Sequence, residues 1–579
     1  MKRLMLGNEA IARGAYEAGV TVVSSYPGTP STEITEYVAT YDEIFSEWSP
    51  NEKVSLEVAI GASFTGARAM TAMKHVGVNV AADPLFTAAY TGVNGGLVIC
   101  VADDPGMHSS QNEQDSRHYA RASKVMMLEP SDSAECRDFV KKAYELSEQF
   151  DVPVFIRLST RIAHSQSLVE ECPREERPLK EYVKNPSKYV MMPAMARVRH
   201  VDVEKRQAAL VHYAETTDLN RIEYNNKKVG FITSGTTYQF ARQAFGEDAS
   251  YLKLGMVYPM PEQLLRDFAA QVDVCYVVEE LDPIYETHCK ALGINVIGKE
   301  KFTLLGEYSP EMIREAVLGE KPSFITADEP IPPRPPVMCA GCPHRATFTA
   351  LKQLGVRISG DIGCYTLAAL PPMSALDSCV CMGASVSVAH GMELAGGRDL
   401  AKQTVGVIGD STFIHSGITG LIDIVYNEGT STIIILDNSI TGMTGHQENP
   451  TTGKTIKGVP TKQVDLVKLC QAVGVERVVV ADPFDIDNFK KIVKDELAAD
   501  EPSVVIAQRP CALLKNVVFD GLRTINLDAC KKCQACMKIA CPAISKTGDD
   551  IIINRALCVG CGFCARVCKF NAIEKEACK

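Results

Sequence analysis

The sequence lacks an excess of positive charge: Lys and Arg number 60 against 71 Asp and Glu, a formal net charge of −11. Phosphate recognition needs a concentrated cationic surface, so a nucleic-acid binder is excluded. It lacks any apolar run long enough to span a bilayer, which excludes a helical membrane protein. Its start lacks the basic, apolar and small-residue sections of a cleavable targeting segment, so a cytoplasmic location is expected. No long-period repeat is visible along the 579 residues, a length that calls for three or four separate cores. What the chain has in abundance is cysteine. Its 21 cysteines exceed what a reducing compartment needs for structure, and many stand at C-x2-C spacing, which points to metal or cluster ligation rather than disulfides.

Up to about residue 190, β-type runs (Val20–Ser24, Leu97–Val101, Val152–Arg157) alternate with Gly-Ala-rich helical stretches, the rhythm of a doubly wound parallel sheet. A charged stretch from Glu170 to Lys188 begins a connection. A second α/β unit follows, with strands expected at Val229–Thr233 and Cys275–Val278. The Pro-rich segment Pro330–Pro336 has few free N–H groups and reads as an inter-domain strap. Beyond it, Thr404–Ile408 and Thr432–Leu436 are β-branched and apolar enough to be buried on both faces. The expected division is 1–190, 191–325, 326–518 and a cysteine-rich 519–579.

The tail carries Cys530-x2-Cys533-x2-Cys536-x4-Cys541-Pro542 and Cys558-x2-Cys561-x2-Cys564-x3-Cys568. Two such runs are the signature of a two-cluster ferredoxin, in which three cysteines of each run hold one 4Fe-4S cluster and the fourth crosses to the other. The expected sets are Cys530, Cys533, Cys536 with Cys568, and Cys558, Cys561, Cys564 with Cys541. Structural zinc would need only four thiolates in separated pairs. The first run has four residues before Cys541 rather than three, and Lys569 stands where a proline usually follows.

Val405-Gly406-Val407-Ile408-Gly409-Asp410-Ser411 reads as a buried strand ending in a Gly-Asp turn, with a helix expected from Ser416 onward. A second strand delivers Asp437-Asn438-Ser439-Ile440-Thr441, which puts Asp410 and Asn438 at the carboxyl ends of neighbouring parallel strands, where open α/β sheets bind ligands. A hard divalent ion that also holds diphosphate oxygens wants a carboxylate, an amide oxygen and a backbone carbonyl, which Asp410, Asn438 and the carbonyl of Ile440 supply. Taken alone, Gly409-Asp410 reads more readily as an ordinary strand turn with a capping acid, and the Asp437–Thr441 run at the matching interval reverses that preference.

At these residues the sequence resembles the thiamine-diphosphate enzymes, whose magnesium motif runs from Gly-Asp-Gly to an Asn-bearing pair; Ser411 replaces the third Gly. Met382-Gly383-Ala384-Ser385 resembles the segment lining the cofactor in this fold, which implies Gly383 and Ser385 as contacts. These enzymes need a carboxylate beside the aminopyrimidine ring. The resemblance places it at Glu52, ahead of Gly61-Ala62, with Glu57 as competitor and a solvated helix-start acid as the bland alternative.

Tyr26-Pro27-Gly28-Thr29-Pro30-Ser31-Thr32-Glu33-Ile34 resembles the entry loop of 2-oxoacid:ferredoxin oxidoreductases, which implies that Thr29 faces the substrate carboxylate; a Pro-braced turn with a capping box at Ser31 is compatible. Arg117, in the polar loop with His108, Ser109 and Gln111, is a candidate for the same carboxylate. Cys339, Cys342, Cys364 and Cys511 resemble the ligands of the cluster nearest the cofactor in pyruvate:ferredoxin oxidoreductases, with zinc, unligated thiols or competition from Cys379 and Cys381 as alternatives. His446 is a candidate to reach the substrate, although a lone histidine is more often a satisfied polar residue.

Over nearly its whole length the chain resembles the large subunit of the indolepyruvate type of these oxidoreductases. The resemblance implies an α/β multidomain thiamine-diphosphate fold, a transketolase C-terminal-like domain carrying Tyr258-Pro259-Met260-Pro261 and Val277-Val278-Glu279-Glu280, and a small α+β ferredoxin domain. It implies thiamine diphosphate, Mg2+, two tail clusters and a third near the thiamine. It further implies oxidative decarboxylation of aryl pyruvates with coenzyme A as acyl acceptor and ferredoxin as electron acceptor, and a smaller β subunit in an α2β2 heteromer. A non-oxidative decarboxylase or carboligase with structural clusters, and an electron-transfer scaffold with a vestigial thiamine fold, are the competing readings.

Overall fold

The computed structural model describes residues 1–321, 329–332 and 335–576. It forms two compact units, Met1–Asp328 and Glu329–Lys579. Pro333 and Arg334 of the expected strap, and the expected boundary at 325/326, lie outside the described residues.

In the first unit the strands are β1 (Lys2–Leu6), β2 (Val22–Ser25), β3 (Phe45–Trp48), β4 (Ala69–Lys74), β5 (Leu97–Asp103), β6 (Met126–Leu128), β7 (Val154–Ser159) and β8 (Gln166–Glu170). They continue with β9 (Arg221–Glu223), β10 (Val229–Ser234), β11 (Ser250–Leu254), β12 (Met256–Tyr258) and β13 (Val274–Val278). One sheet has the order β12-β6-β7-β5-β4-β2-β3 and the other β13-β10-β11-β9. In the larger sheet every pair is parallel except β12 with β6. Val98 to Ala102 and Val154 to Ile156 are fully enclosed, the continuous apolar pattern of strands covered by helices on both faces. The expected strands are all present, each shifted by no more than two residues. The sheet is not broken at residue 190, however: β12, from the second α/β stretch, pairs with the edge strand β6 and covers backbone groups that would otherwise be open.

The polar loop after β5 corrects one expectation. Arg117 is 2 % exposed, but its guanidinium is filled by protein: it donates to Asp115 at 2.6 and 2.9 Å, to Glu279 at 2.6 Å and to the Asp282 carbonyl at 2.9 Å, and lies over the Tyr285 ring. With both carboxylates already bonded, Arg117 is a brace rather than a substrate clamp. The Glu279 of the Val277–Glu280 run is the other half of that brace, and it also accepts the N–H groups of Ile284, Tyr285 and Glu286 at a helix start. Arg117→Met leaves two buried acids without their cation and is expected to cost about 3–5 kcal/mol. Calorimetry should show an earlier first unfolding transition, and an unchanged one would remove the brace.

In the second unit the strands are β14 (Arg357–Gly360), β15 (Ser378–Cys379), β16 (Thr404–Gly409), β17 (Thr432–Asp437), β18 (Arg477–Ala481) and β19 (Ser503–Gln508), in the order β15-β14-β16-β17-β19-β18, all parallel. The tail adds two antiparallel pairs, β20 (Arg523–Ile525) with β23 (Ile573–Lys575) and β21 (Ile544–Thr547) with β22 (Asp550–Ile553). The helix expected from Ser416 begins earlier: Asp410–Thr412 is already helical and continues through a π turn, Phe413–Gly417, into Ile418–Tyr426. The Asp410 carboxylate accepts the Ser411 N–H at 2.8 Å, so the turn starts directly at the strand end. Among the described residues no helix is long and apolar enough to cross a membrane.

Candidate cofactor and cluster sites

The register of the second sheet sets Gly409 opposite Leu436, so Asp410 falls beside Asp437 and Asn438 at the carboxyl edge. Asp410 is 2 % exposed. Burial and, after it, the charge of Asp437 push its carboxyl up to about 7. Its other neighbours are neutral donors, the Ser411 amide and the Thr451 hydroxyl at 3.1 Å. A buried acid among neutral donors and a second acid is suited to a divalent cation. Asn438 and Ile440 are also buried, on the chain that leaves the neighbouring strand β17.

Gly383 and Ser385 are brought in by a residue the sequence reading missed. Asp361 is fully buried, and its carboxylate accepts the Gly383 and Ser385 N–H groups, both at 2.9 Å. Gly383 takes φ +87°, and a Cβ there would lie 2.3 Å from the Ser416 hydroxyl, so only glycine fits. Tyr365 accepts the Gly409 N–H at 2.9 Å and ties the Cys364 turn to the same edge. Asn449 and Thr451 were also missed; they reach Asp410 from a loop distant in sequence. His446 is exposed at a left-handed turn (φ 72°).

The chain leaving β19 runs alongside the chain leaving β17: Arg509 N–H donates to the Asp437 carbonyl at 3.0 Å and Cys511 N–H to the Asn438 carbonyl at 2.9 Å. Cys511 is thereby held one hydrogen bond from Asn438. A Cβ on Gly442 would lie 3.4 Å from the Cys364 sulfur and 3.9 Å from the Asn438 amide nitrogen, so Cys364 stands at the same place. Burial, with the Cys364 and Cys339 sulfurs nearby, pushes the Cys342 thiol up to about 12; burial, with Cys511 and Cys339 nearby, pushes Cys364 up to about 11. Cys379 and Cys381 are exposed and face Asp361 instead.

In the tail, Cys530, Cys533, Cys536 and Cys568 line one small cavity, and Cys541, Cys558, Cys561 and Cys564 line another, each of about 20 Å³. These are the two crossed sets expected from spacing. Left-handed residues between the cysteines, Lys532 and Gln534 in the first run and Gly560 and Gly562 in the second, make tight loops around each cavity. The extra residue before Cys541 is absorbed by a 3-10 turn at Met537–Ile539 and a left-handed Ala540. Among the described residues no three His, Cys, Asp or Glu side chains converge closely enough to share a single ion. Cys342 also lines the second cavity, as does Arg345, whose buried guanidinium donates to the carbonyls of Cys339, Ile539 and Ala540.

In the first unit Glu52 opens the helix Glu52–Phe64 and is 4 % exposed. A Cβ on Gly77 would come within 2.7 Å of its side chain, so the glycine is what lets the carboxylate lie against the helix His75–Val80. Glu57 is solvent-facing and paired with Lys53, a poor place for a group that must titrate a ring. Thr29 is half-buried and its carbonyl accepts from the Ser109 hydroxyl at 3.3 Å. The capping box at Ser31 is absent because that hydroxyl turns back to the Gly28 carbonyl at 2.8 Å.

Residues 13–230 match the thiamine-diphosphate-binding family of pyruvate flavodoxin/ferredoxin oxidoreductases. Residues 361–507 match the C-terminal TPP-binding domain of thiamine pyrophosphate enzymes, and residues 551–574 a 4Fe-4S binding domain. The indolepyruvate oxidoreductase subunit IorA of Archaeoglobus fulgidus is 40% identical over 99% of this chain and 97% of its own length. The chain belongs to the IorA family. Relatives of the same name are 38% identical in Pyrococcus horikoshii (99% of this chain, 97% of that protein) and 39% in Methanothermobacter marburgensis (99% and 97%). As an IorA-family chain it is an α/β multidomain thiamine-diphosphate-binding protein with a C-terminal 4Fe-4S domain.

Proposed function

We propose that the chain catalyses oxidative decarboxylation of aryl pyruvates, indolepyruvate foremost, to the aryl-acetyl-CoA and CO2, with ferredoxin as electron acceptor. The observation that carries this reading is the hydrogen bond from the Cys511 N–H to the Asn438 carbonyl, which ties the cysteine proposed for the third cluster to the residue proposed for the magnesium site. When bound, the thiazolium of thiamine diphosphate accepts the electron pair left as CO2 departs, and iron-sulfur clusters carry electrons singly. Asp410, Asn438 and the Ile440 carbonyl hold Mg2+ on the diphosphate in this reading, Gly409, Gly383 and Ser385 shape the cofactor's bed, and Glu52 serves the aminopyrimidine ring. Thr29 and His446 remain candidates toward the substrate. Three clusters are proposed: two in the tail and one on Cys339, Cys342, Cys364 and Cys511. The division 1–190, 191–325, 326–518 and 519–579, a smaller β subunit in an α2β2 heteromer, and coenzyme A and ferredoxin as partners belong to the same proposal.

The test is viologen reduction by the chain assembled with its small subunit, across indolepyruvate, phenylpyruvate and hydroxyphenylpyruvate. Reduction should require both an aryl pyruvate and coenzyme A. Aldehyde release without an acceptor would overturn the oxidative reading in favour of a non-oxidative decarboxylase. Cys541→Ala is expected to remove one of the tail clusters, about four irons per chain, and leave the cluster set completed by Cys568. Iron analysis with electron paramagnetic resonance checks this; loss of the other set instead would reverse the assigned crossing.

A further inference from the structure

In the first unit, β5, β4, β2 and β3 are sheet neighbours, and their carboxyl ends lead into the Ser109 loop, Lys74, the Thr29 loop and Glu52 respectively. Lys74 is the last residue of β4 and only 7 % exposed. Its ammonium donates to the Ser109 carbonyl at 2.6 Å and approaches the Ser109 hydroxyl at 3.5 Å. Among the described residues no carboxylate pairs with it. Lys253, buried in the same unit, shows the ordinary solution, an ion pair with Glu135. An ammonium withdrawn from water with no carboxylate in hydrogen-bond reach is costly, and bracing a loop carbonyl needs only a neutral donor.

The acid nearest to Lys74 is already engaged. Asp104 accepts from the Ser109 amide at 2.9 Å, the Ser110 hydroxyl at 2.6 Å and the Thr160 hydroxyl at 2.7 Å. The next residue, His75, is 1 % exposed, and neither ring nitrogen makes a hydrogen bond of good geometry. Two adjacent buried side chains thus leave polar capacity unused at the sheet edge, three residues from the glycine on which Glu52 rests. A cavity of about 250 Å³, lined by His108, Thr160, Arg161, His164 and Ser165, opens beside this loop.

We propose that the Lys74 ammonium is the cation that receives the carboxylate of the 2-oxoacid. This rests on the proposed function and assigns a substrate contact that Arg117, enclosed by Asp115 and Glu279, cannot make. Burial lowers the Lys74 pKa to about 8 against the opposing pull of Asp104. The groups facing this corner are Asp104 and Asp103 from the end of β5, His75 from the following helix, and Glu52 across Gly77. The sign follows: Lys74 is charged below about pH 8 and attracts a carboxylate there, and it loses the charge as pH rises further.

The experiment uses the full chain with its small subunit and three forms: wild type, Lys74→Arg and Lys74→Met. Calorimetric titration with unreactive hydrocinnamate and its neutral amide isolates the carboxylate. Lys74→Met should weaken hydrocinnamate by about tenfold or more and leave the amide unchanged, while KM for phenylpyruvate rises similarly with little change in kcat. In wild type kcat/KM should fall above about pH 8, and Lys74→Arg should keep its carboxylate affinity and abolish that fall. Equal binding of hydrocinnamate by Lys74→Met and wild type, or an Arg variant that keeps the fall, would overturn the inference. Wild type inert toward every 2-oxoacid would defeat the proposed function, while the hydrocinnamate titration would still judge Lys74.

Discussion

Asp410→Ala is expected to abolish retention of thiamine diphosphate and to lower activity by more than about 10³-fold, leaving the tail clusters in place. Asp410 is a buried carboxylate at a strand end whose surroundings are neutral donors and a second acid. Among the described residues the other acids at that edge are engaged elsewhere, Asp437 by the Ser439 amide at 3.0 Å and the Gln508 amide at 2.8 Å, and Asp361 by the Gly383 and Ser385 amides. Removing Asp410 therefore takes away the only anionic donor of the proposed magnesium set, and a hard divalent ion does not hold with two neutral oxygens. Fold loss is separated from cofactor loss by the iron-sulfur absorbance, since the tail cysteines lie in their own cavities. Equilibrium dialysis with thiamine diphosphate and Mg2+ is the direct measurement. A variant that binds both as wild type does would remove Asp410 from the site.

What could be read from sequence follows how local each signal is. The two tail sets were legible because three of every four cysteines fall within one short loop, where spacing alone fixes that they meet. The pairing of Cys541 with the second run and Cys568 with the first follows from the same pattern, and the cavities hold those same groups. Asp410 and Asn438 were legible because each ends a buried strand and neighbouring parallel strands align their ends. Asp361 was not, since its task is to hold the amides of Gly383 and Ser385 across more than twenty residues of chain, and nothing near Asp361 announces it. Thr451 and Asn449 are hidden likewise in a loop whose polar composition suits solvent equally well.

Arg117 and Lys74 show the same limit with opposite outcomes. In sequence Arg117 is a cation in a polar loop and Lys74 a cation at the end of an apolar strand, so the first attracts a functional reading and the second does not. Only the partners decide. Arg117 meets Glu279 from more than a hundred and fifty residues away and is neutralised, whereas Lys74 meets a carbonyl. Domain edges were blurred for a related reason: a boundary in composition near residue 190 is not a boundary in hydrogen bonding, because β12 returns to the first sheet.

Glu52→Gln is expected to lower kcat by about 10²–10⁴-fold with thiamine diphosphate binding preserved. The substitution keeps size and one acceptor oxygen but removes the acid proposed to exchange a proton with the aminopyrimidine ring. The structure makes the contrast with Glu57 sharp. Glu52 is 4 % exposed against a glycine that admits its side chain, while Glu57 is solvent-facing and already paired with Lys53. Glu57→Gln should accordingly change activity by less than about twofold, since an exposed pair of this kind contributes little. The informative readout is exchange of the thiazolium C2 proton with deuterium, followed by magnetic resonance on quenched samples. That exchange should slow with Glu52→Gln in parallel with kcat, because activation of the cofactor precedes any contact with a 2-oxoacid. If exchange stayed fast while turnover fell, Glu52 would act on the substrate and not on the ring; if both were unchanged, a different acid in the first unit would have to be found.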